Sequence, residues 1–167
     1  MKTLKTIRKS IFVAASLLLL ASCNKDDAPA SNPPSLTSSF VKGKIAGVSY
    51  ASIVVSSSRS GTGVDAAITI LGSDSTGNSI TLALIGIAAP GTYTINNSTD
   101  SVLNYSPVTG GMAYATGYCD NATGTVTISA YDQTHVTGTF SFVGKDAENC
   151  SASKTITEGS FNAIFQN

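Results

Sequence analysis

The sequence contains no tryptophan, a single histidine and only 12% charged residues. A zinc site draws three or four ligands from His, Cys and carboxylate side chains, so His135 alone cannot supply one. A serine hydrolase needs a nucleophile elbow such as Gly-x-Ser-x-Gly, and the chain has none. We therefore interpret His135 as an exposed turn residue next to Asp132, and we expect neither zinc chemistry nor a Ser-His-Asp triad.

The acidic residues also argue against catalysis, because beyond the N-terminal region they fall mostly in predicted turns, as Asp65, Asp100 and Glu158 do. Strands can bring two remote carboxylates together, so a glycosidase pair stays open as an alternative. Segments 74–78 and 120–124 offer oxygen ligands, but neither has the full ligand pattern of an EF-hand calcium loop. Turns favour the same residue types for backbone reasons. The sequence predicts no enzyme, no bound metal and no cofactor.

The absence of tryptophan also weakens any platform on which sugar rings could stack. Tyrosines could form a binding patch instead, although packing in a core or on a sheet is the expected role for most of them. The six are Tyr50, Tyr93, Tyr105, Tyr114, Tyr118 and Tyr131.

The N-terminus is basic and is followed by the longest apolar run of the chain. Lys2, Lys5, Arg8 and Lys9 precede an apolar stretch over residues 11–21, with no acidic residue among them. Eleven helical residues cover about 16 Å, roughly half of a bilayer's hydrocarbon core. The stretch is therefore too short to span a membrane and has the size of a signal-peptide core. We predict a signal peptide over residues 1–22; the alternative is a buried helix of the mature fold.

Leu20-Ala21-Ser22-Cys23 ends this segment and resembles the lipobox of bacterial lipoproteins. The resemblance implies that the Cys23 thiol is acylated and that the chain is then cut before it. Two or three acyl chains, palmitate among them, anchor a protein stably where a single chain binds only marginally. The alternative is an ordinary buried or disulfide-bonded cysteine.

Residues 23–39 are predicted to be the lipidated cysteine and a disordered tether, because they are poor in apolar residues and rich in Pro and Ser. Asn24-Lys25-Asp26-Asp27 resembles the surface-export signal of Bacteroidetes lipoproteins. That resemblance implies a lipid anchor in the outer membrane with the protein facing the cell surface. If the segment is only a solvated spacer, the periplasmic face is the alternative.

Removal of residues 1–22 takes away four of the ten basic residues and leaves all ten acidic ones, so the mature formal charge is −4. A mildly acidic chain without a basic cluster does not favour nucleic acid as a partner. The membrane, reached through the lipid anchor, is the one partner that the sequence predicts directly. A protein, a glycan or a small apolar ligand stays open as a further partner.

Residues 40–167 are predicted to form one all-β domain, since almost every apolar run has the length and period of a strand. We expect a single antiparallel β-sandwich or barrel of about eight to ten strands. Segment 80–88 is apolar on both faces, which predicts a central strand covered on both sides. Glu158-Gly159 separates two stretches whose apolar residues alternate in opposite phase, which predicts a bulge or a strand break. The expected strands are 40–45, 48–55, 66–71, 80–88, 92–95, 102–105, 112–118, 124–131, 135–143 and 154–165.

Segments 124–131 and 135–143 form a predicted hairpin in which Tyr131 lies opposite His135. In that register Cys119 and Cys150 both lie near the open end of the hairpin. Outside the cytoplasm such a pair can oxidise, so a Cys119–Cys150 disulfide is expected, with two free thiols as the alternative.

Asp74-Ser75-Thr76 and Asp100-Ser101-Val102 resemble the acceptor of Bacteroidetes O-glycosylation. Both triplets lie where a loop is expected, so Ser75 and Ser101 are the predicted acceptor residues.

The segments 90–93, 124–132, 136–142 and 156–162, together with 40–48 and the lipobox, resemble an uncharacterised family of small Bacteroidetes lipoproteins. The resemblance implies an all-β domain of unknown function and supplies no catalytic residue. We expect a non-catalytic binding or interaction module. One alternative is a carrier whose barrel encloses a small apolar molecule beside segment 80–88, and another is a structural role in the cell envelope.

Overall fold

The computed structural model describes residues 38–166, and these form an all-β domain. Apolar and polar side chains alternate along most of this part of the chain, which favours strands with one buried face. A 3-10 turn at Gly63–Asp65 interrupts the strands, and no helix among the described residues is long and apolar enough to cross a membrane. The strands are β1 (Phe40–Ile45), β2 (Val48–Ala51), β3 (Val54–Ser60), β4 (Ala67–Ser73), β5 (Ser79–Ile85), β6 (Gly91–Asn96), β7 (Val102–Ser106), β8 (Tyr114–Ala115), β9 (Thr123–Tyr131), β10 (His135–Asp146) and β11 (Ser153–Ile164).

All strands pair antiparallel in one sheet, which curls into a half-barrel. The main order is β2-β1-β11-β10-β8-β7-β5-β4-β3. Strand β9 pairs with β10 and carries β6 on its other side. The predicted antiparallel all-β fold is confirmed, with eleven strands rather than eight to ten.

Predicted strand 48–55 is two strands, because the chain turns a corner at Ser52 and Ile53. The Ser52 amide donates to the carbonyl of Val41 at 2.9 Å, whereas the Ile53 amide donates to the carbonyl of Ser73 at 2.8 Å. Within two residues the chain therefore changes its hydrogen-bonding partner from β1 to β4. This corner joins β2 and β3, the two ends of the sheet order.

Inward-facing side chains fill the half-barrel. Ile80, Leu82 and Leu84 of β5 are fully buried and belong to one core cluster with residues of β1, β4, β7, β9, β10 and β11. A Cβ atom built on Gly72 would lie 2.7 Å from Cβ of Val41, so glycine lets β4 approach β1. This packing is of the kind found throughout protein interiors, where few voids remain.

The β9–β10 hairpin differs from the prediction at its turn. Tyr131 lies opposite Val136 instead of His135. The Asp132 carboxylate accepts the backbone amides of Thr134 and His135, at 2.6 and 2.9 Å, and so holds a four-residue turn where three residues were expected. An irregularity in the ladder between Thr137 and Gly138 then restores the predicted register for the rest of the hairpin.

Strand β11 contains the bulge predicted at Glu158-Gly159. Strand β10 pairs with it through Phe140 opposite Gly159 and Phe142 opposite Ile156, so two residues of β11 oppose one of β10. Glu158 has a φ of 51°, in the left-handed region. The bulge moves the buried side chains from an even-numbered position, Ile156, to odd-numbered positions such as Phe161 and Ala163. This shift explains why the apolar residues before and after it alternate in opposite phase.

The prediction that segment 80–88 is covered on both faces is wrong. Strand β5 is central, between β4 and β7, but only its inner face is buried. On its outer face Thr81 and Ala83 are half-buried, and Ile85 is 39% exposed. Small and β-branched residues therefore form an open outer surface here.

Candidate functional site

The predicted disulfide is confirmed between Cys119 and Cys150, whose Cα atoms lie 5.8 Å apart. It joins the segment after β8 to the loop between β10 and β11. That loop is organised by Asp146, whose carboxylate accepts the amides of Asn149 and Ala152 at 2.9 and 2.6 Å. These hydrogen bonds lower the pKa of Asp146. The disulfide therefore attaches to a firm loop.

The two predicted glycosylation residues have opposite environments. Ser75 is exposed in the β4–β5 loop. Ser101 is 2% exposed, and its hydroxyl accepts the amide of Ile85 at 2.8 Å. The folded domain therefore presents Ser75 to a modifying enzyme and withholds Ser101. The predicted lipidation residue, Cys23, lies outside the described residues.

His135 and Asp132 are close, with 2.7 Å between Nδ1 and Oδ2. The carboxylate is held by Thr134, which lowers the pKa of Asp132 far below its usual range. Since the Asp132 carboxylate also accepts the amide of His135, the group stabilises the turn of the β9–β10 hairpin. It has the chemistry of a turn and not of a catalytic triad.

The Asp74 carboxylate organises the β4–β5 loop, one of the two segments that offer oxygen ligands. The Asp74 carboxylate accepts the amides of Thr76 and Asn78 through Oδ1 and the side-chain amide of Asn78 through Oδ2. These donors lower its pKa because they stabilise the charged form. Within residues 38–166, no group of three His, Cys, Asp or Glu side chains is placed to hold a metal ion.

The outer face of β5 and β7 carries a groove that the prediction did not anticipate. Its volume is about 320 Å³, at the lower end of the range typical of ligand sites. The floor is formed by outward residues of β5 and β7, and the wall by the segment that runs through β8 to Tyr118. We call it the Tyr118 groove; its lining residues are Thr81, Ala83, Val102, Asn104, Ala113, Ala115 and Tyr118.

The wall of the Tyr118 groove is fixed at several points. Ala115 pairs with Asn104 of β7. One residue further on, the Thr116 amide donates to the carbonyl of Leu103, and the Leu103 amide donates back to the Thr116 hydroxyl, both at 3.0 Å. The disulfide then holds Cys119. Tyr118 is therefore 68% exposed and yet sits on a restrained backbone.

Asn104 places an unused acceptor in the floor of the groove. Its Nδ2 donates to the hydroxyl of Ser106 at 3.1 Å. Its Oδ1 is buried and has no hydrogen-bond partner within residues 38–166. A buried acceptor without a partner costs free energy, on the order of 1–3 kcal/mol. Because this oxygen has almost no accessible surface, it lies beneath the groove and is not reached from it in this conformation.

Sequence reasoning missed this groove for a specific reason. Segment 112–118 was predicted to be a strand, but only Tyr114–Ala115 pairs as one. Beyond it, Thr116 bonds to β7 through its side chain, and Gly117 lies so close to Val102 that a Cβ atom would be 2.8 Å from Cγ2. The sequence signal that could have indicated the groove was Tyr118, an aromatic residue between Gly117 and Cys119.

A second cleft, of about 450 Å³, lies between the β1–β2 and β4–β5 turns. Its two tyrosines, Tyr50 and Tyr105, are only 4% and 7% exposed, so their ring faces are not available for stacking. Burial raises the pKa of Tyr50 to about 12. The Asp74 carboxylate in its wall is already held by its own loop. The Tyr118 groove is therefore the stronger candidate.

Strands β4 and β5, which the carrier alternative places beside a cavity, pack against each other through their inner side chains. Ile68 and Ile70 of β4 face Leu82 and Leu84 of β5 in the shared core, and all four are at most 1% exposed. The strands expected to line a cavity are thus packed by their own side chains. The Tyr118 groove lies on the outer face of β5 and β7, away from this core.

Residues 37–164 match a family model described as a domain of unknown function, DUF6252. The expected all-β domain of unknown function is thus confirmed by both the match and the fold. Neither a curated protein nor a solved structure matches the chain.

Proposed function

We propose that this chain, which belongs to the DUF6252 family, is a lipid-anchored binding protein that holds its ligand in the Tyr118 groove without chemical turnover. Cys23 carries the lipid, residues 23–39 form the tether, and the domain faces outward from the outer membrane. The observation that carries the proposal is the groove itself. It joins the exposed ring of Tyr118 to a floor of small and β-branched residues on β5 and β7.

The chemistry of the groove favours binding over catalysis. Its lining contains no His, Asp, Glu, Lys or Cys, the side chains that most often act as general acids, general bases or activated nucleophiles. A lining of this kind supports binding without chemical turnover.

The point at which the chain enters the domain supports an anchored role. The Ser38 carbonyl accepts the side-chain amide of Asn162 at 2.7 Å, on β11. Asn162 is itself fully buried, as are Phe161 and Ala163 on either side of it, so the chain enters the domain at a packed position. The groove lies on β5 and β7, on the other side of that core. The point of entry at Ser38 and the groove are thus formed by different strands.

The experiment compares the intact lipoprotein, extracted from its own membranes in mild detergent, with its Tyr118→Ala variant. We expect native mass spectra to show a bound molecule on the wild type and none on the variant. Val48→Ala is the matched control, because Val48 is 71% exposed and lies outside the groove. The molecule should also be recovered unchanged after prolonged incubation. A released product, or equal loading of the Tyr118→Ala variant, would overturn the proposal.

A further inference from the structure

We infer that the folded domain rests on the membrane that carries its anchor, with an apolar corner inserted among the lipid headgroups. The apolar corner consists of the outward side chains of Phe40, Ile53, Val54 and Ile164. The inference rests on the anchor in the proposed function, since the lipid on Cys23 brings the bilayer within reach. It goes beyond that proposal because it assigns a membrane-contact surface to the domain itself.

Ile53 and Val54 form the most exposed part of the apolar corner. They lie where the chain passes from β2 to β3, and their side chains are 70% and 62% exposed. Tyr50 before them and Val55 after them pack against the core. Two adjacent aliphatic side chains thus remain in water, although burial of their apolar surface would be favourable.

Phe40 extends this apolar surface onto β1. Val41 is fully buried, so the neighbouring Phe40 faces outward, and its side chain is half-buried. The Ser52 amide donates to the carbonyl of Val41 at 2.9 Å. Because Ser52 precedes Ile53 and Val41 follows Phe40, this hydrogen bond holds the β2–β3 corner next to the start of β1.

The tether enters the domain beside the apolar corner. The Ser39 hydroxyl accepts the backbone amide of Ile164 at 3.0 Å. Ile164 is 37% exposed and lies between two buried residues, so its side chain faces outward. Cys23 lies 15 positions before Ser38, a length of chain that reaches at most about 54 Å. An anchor on Cys23 therefore keeps this part of the domain close to the bilayer.

The charges around the apolar corner suit contact with lipid phosphates. Lys42 is exposed on the outer face of β1 and forms no ion pair within residues 38–166. Lys44, further along the strand, is already paired with Glu158 at 2.7 Å. Asp74 follows the residue whose carbonyl bonds to the Ile53 amide, but its carboxylate accepts the donors of its own loop. A basic side chain near a membrane is attracted to anionic headgroups, and Lys42 is placed to contact one.

The apolar corner is too small for a stable interface with another protein. Such interfaces bury roughly 800 Å² on each partner and involve about 20–30 residues a side. A bilayer tethered to the same chain needs less contact, because the anchor has already restricted the translation of the domain and keeps the effective concentration high. A protruding corner can also enter a fluid headgroup layer without a complementary surface. These considerations favour the membrane as the occupant.

The experiment places a single tryptophan in the apolar corner, since the chain contains none. The intact lipoprotein with Ile53→Trp is reconstituted into vesicles of phosphatidylcholine and phosphatidylglycerol whose acyl chains carry bromine, a fluorescence quencher. Val64→Trp is the matched control, because Val64 is 84% exposed and lies beyond the far end of β3, a strand that covers about 20 Å. We expect bromine to quench Ile53→Trp at least about twofold more than Val64→Trp. Equal quenching of the two proteins would overturn the inference.

Two further substitutions in the Ile53→Trp protein test the rest of the corner. Val54→Asp should reduce the quenching by at least about half, since a charge is costly to bring among acyl chains. Val64→Asp should leave the quenching unchanged. Both residues are exposed, so the urea midpoints should stay close to that of the parent protein. Full quenching in the presence of Val54→Asp would contradict the proposed contact.

Flotation of the vesicles separates this inference from the anchor on which it rests. If the lipoprotein floats with the vesicles but bromine quenches both tryptophan variants equally, the anchor stands and the contact surface is wrong. If the protein does not float, the anchor assigned to Cys23 is wrong and the contact inference fails with it. Ligand loading of the Tyr118 groove, measured by native mass spectrometry, is independent of both results.

Discussion

At the residue scale, the carboxylate of Asp146 is held by neutral donors and not by a cation. It is 3% exposed, and within residues 38–166 it forms no ion pair. The amides of Asn149 and Ala152 and the hydroxyl of Ser151 donate to it instead. These donors, Asn149 first, lower the pKa of Asp146 because they stabilise the charged form. The carboxylate therefore shapes the loop in which Cys150 sits.

Asp146→Asn should destabilise the domain at neutral pH and lose that effect in acid. The folded pKa lies below the value in the unfolded chain, so the wild-type contribution is complete above the unfolded value, about 3.9, and disappears as the pH falls through the folded one. Urea unfolding of both proteins from pH 7 down to pH 2 should show converging midpoints.

The control for Asp146 is Asp65→Asn, because Asp65 is exposed and lies in the 3-10 turn. It should leave the midpoint close to that of the wild type throughout. A constant difference between Asp146→Asn and the wild type down to pH 2 would show that the loop needs the shape of the side chain and not its charge.

At the scale of elements, the β1–β2 hairpin has a two-residue turn in which both residues adopt positive φ. Ala46 and Gly47 have φ values of 49° and 84°, and Ile45 pairs with Val48 across the turn. Such a turn matches the right-handed twist of the flanking strands. Glycine adopts this conformation readily, whereas an alanine pays a steric cost there.

Ala46→Asn should raise the free energy of unfolding by up to about 1 kcal/mol, because asparagine tolerates the left-handed region better than alanine. Urea unfolding at pH 7 measures the change. Ala46→Val is the opposing control, since a β-branched side chain at positive φ should lower the stability. Equal stability of all three proteins would mean that the turn relaxes without cost.

The sequence predicts some elements of the fold better than others, for physical reasons. The β9–β10 hairpin was predictable because Val126, Ile128, Phe140 and Phe142 alternate with Thr and Ser over a long stretch. The strand order was not, because strand pairing depends on contacts far apart along the chain. The face of β5 was misjudged because an apolar residue such as Ile85 reads as buried whether or not another layer covers it.

The candidate site was harder to predict than the fold. The disulfide partners could be paired from the register of one hairpin. The exposure of Tyr118 depends on Thr116, whose hydroxyl replaces a backbone group in bonding to Leu103. The free acceptor of Asn104 depends on which neighbours the fold supplies. Neither property can be predicted from the alternation of apolar and polar residues along the chain.

At the scale of the whole molecule, the disulfide and the proposed anchor are both expected of a protein that lies outside the cytoplasm. A Cys119–Cys150 bond persists in oxidising surroundings outside the cytoplasm, which is where an exported lipoprotein would reside. It closes a loop over a sequence separation of 31 residues and should contribute about 3–4 kcal/mol in the chain-entropy model. The same bond fixes the wall of the Tyr118 groove, so the proposed export and the proposed ligand binding both depend on it.

The anchor predicts that the three cysteines differ in chemistry. Cys23→Ala should abolish incorporation of a radioactive fatty acid and release the protein from the membrane fraction, since Cys23 is the proposed acylation residue. Cys119→Ala is the matched control: it should keep the label and instead expose one alkylatable thiol, on Cys150.

Protease added to intact cells should digest the wild-type domain if it faces outward. A labelled Cys23→Ala protein would refute the anchor, whereas a labelled but protected wild type would place the domain on the periplasmic face.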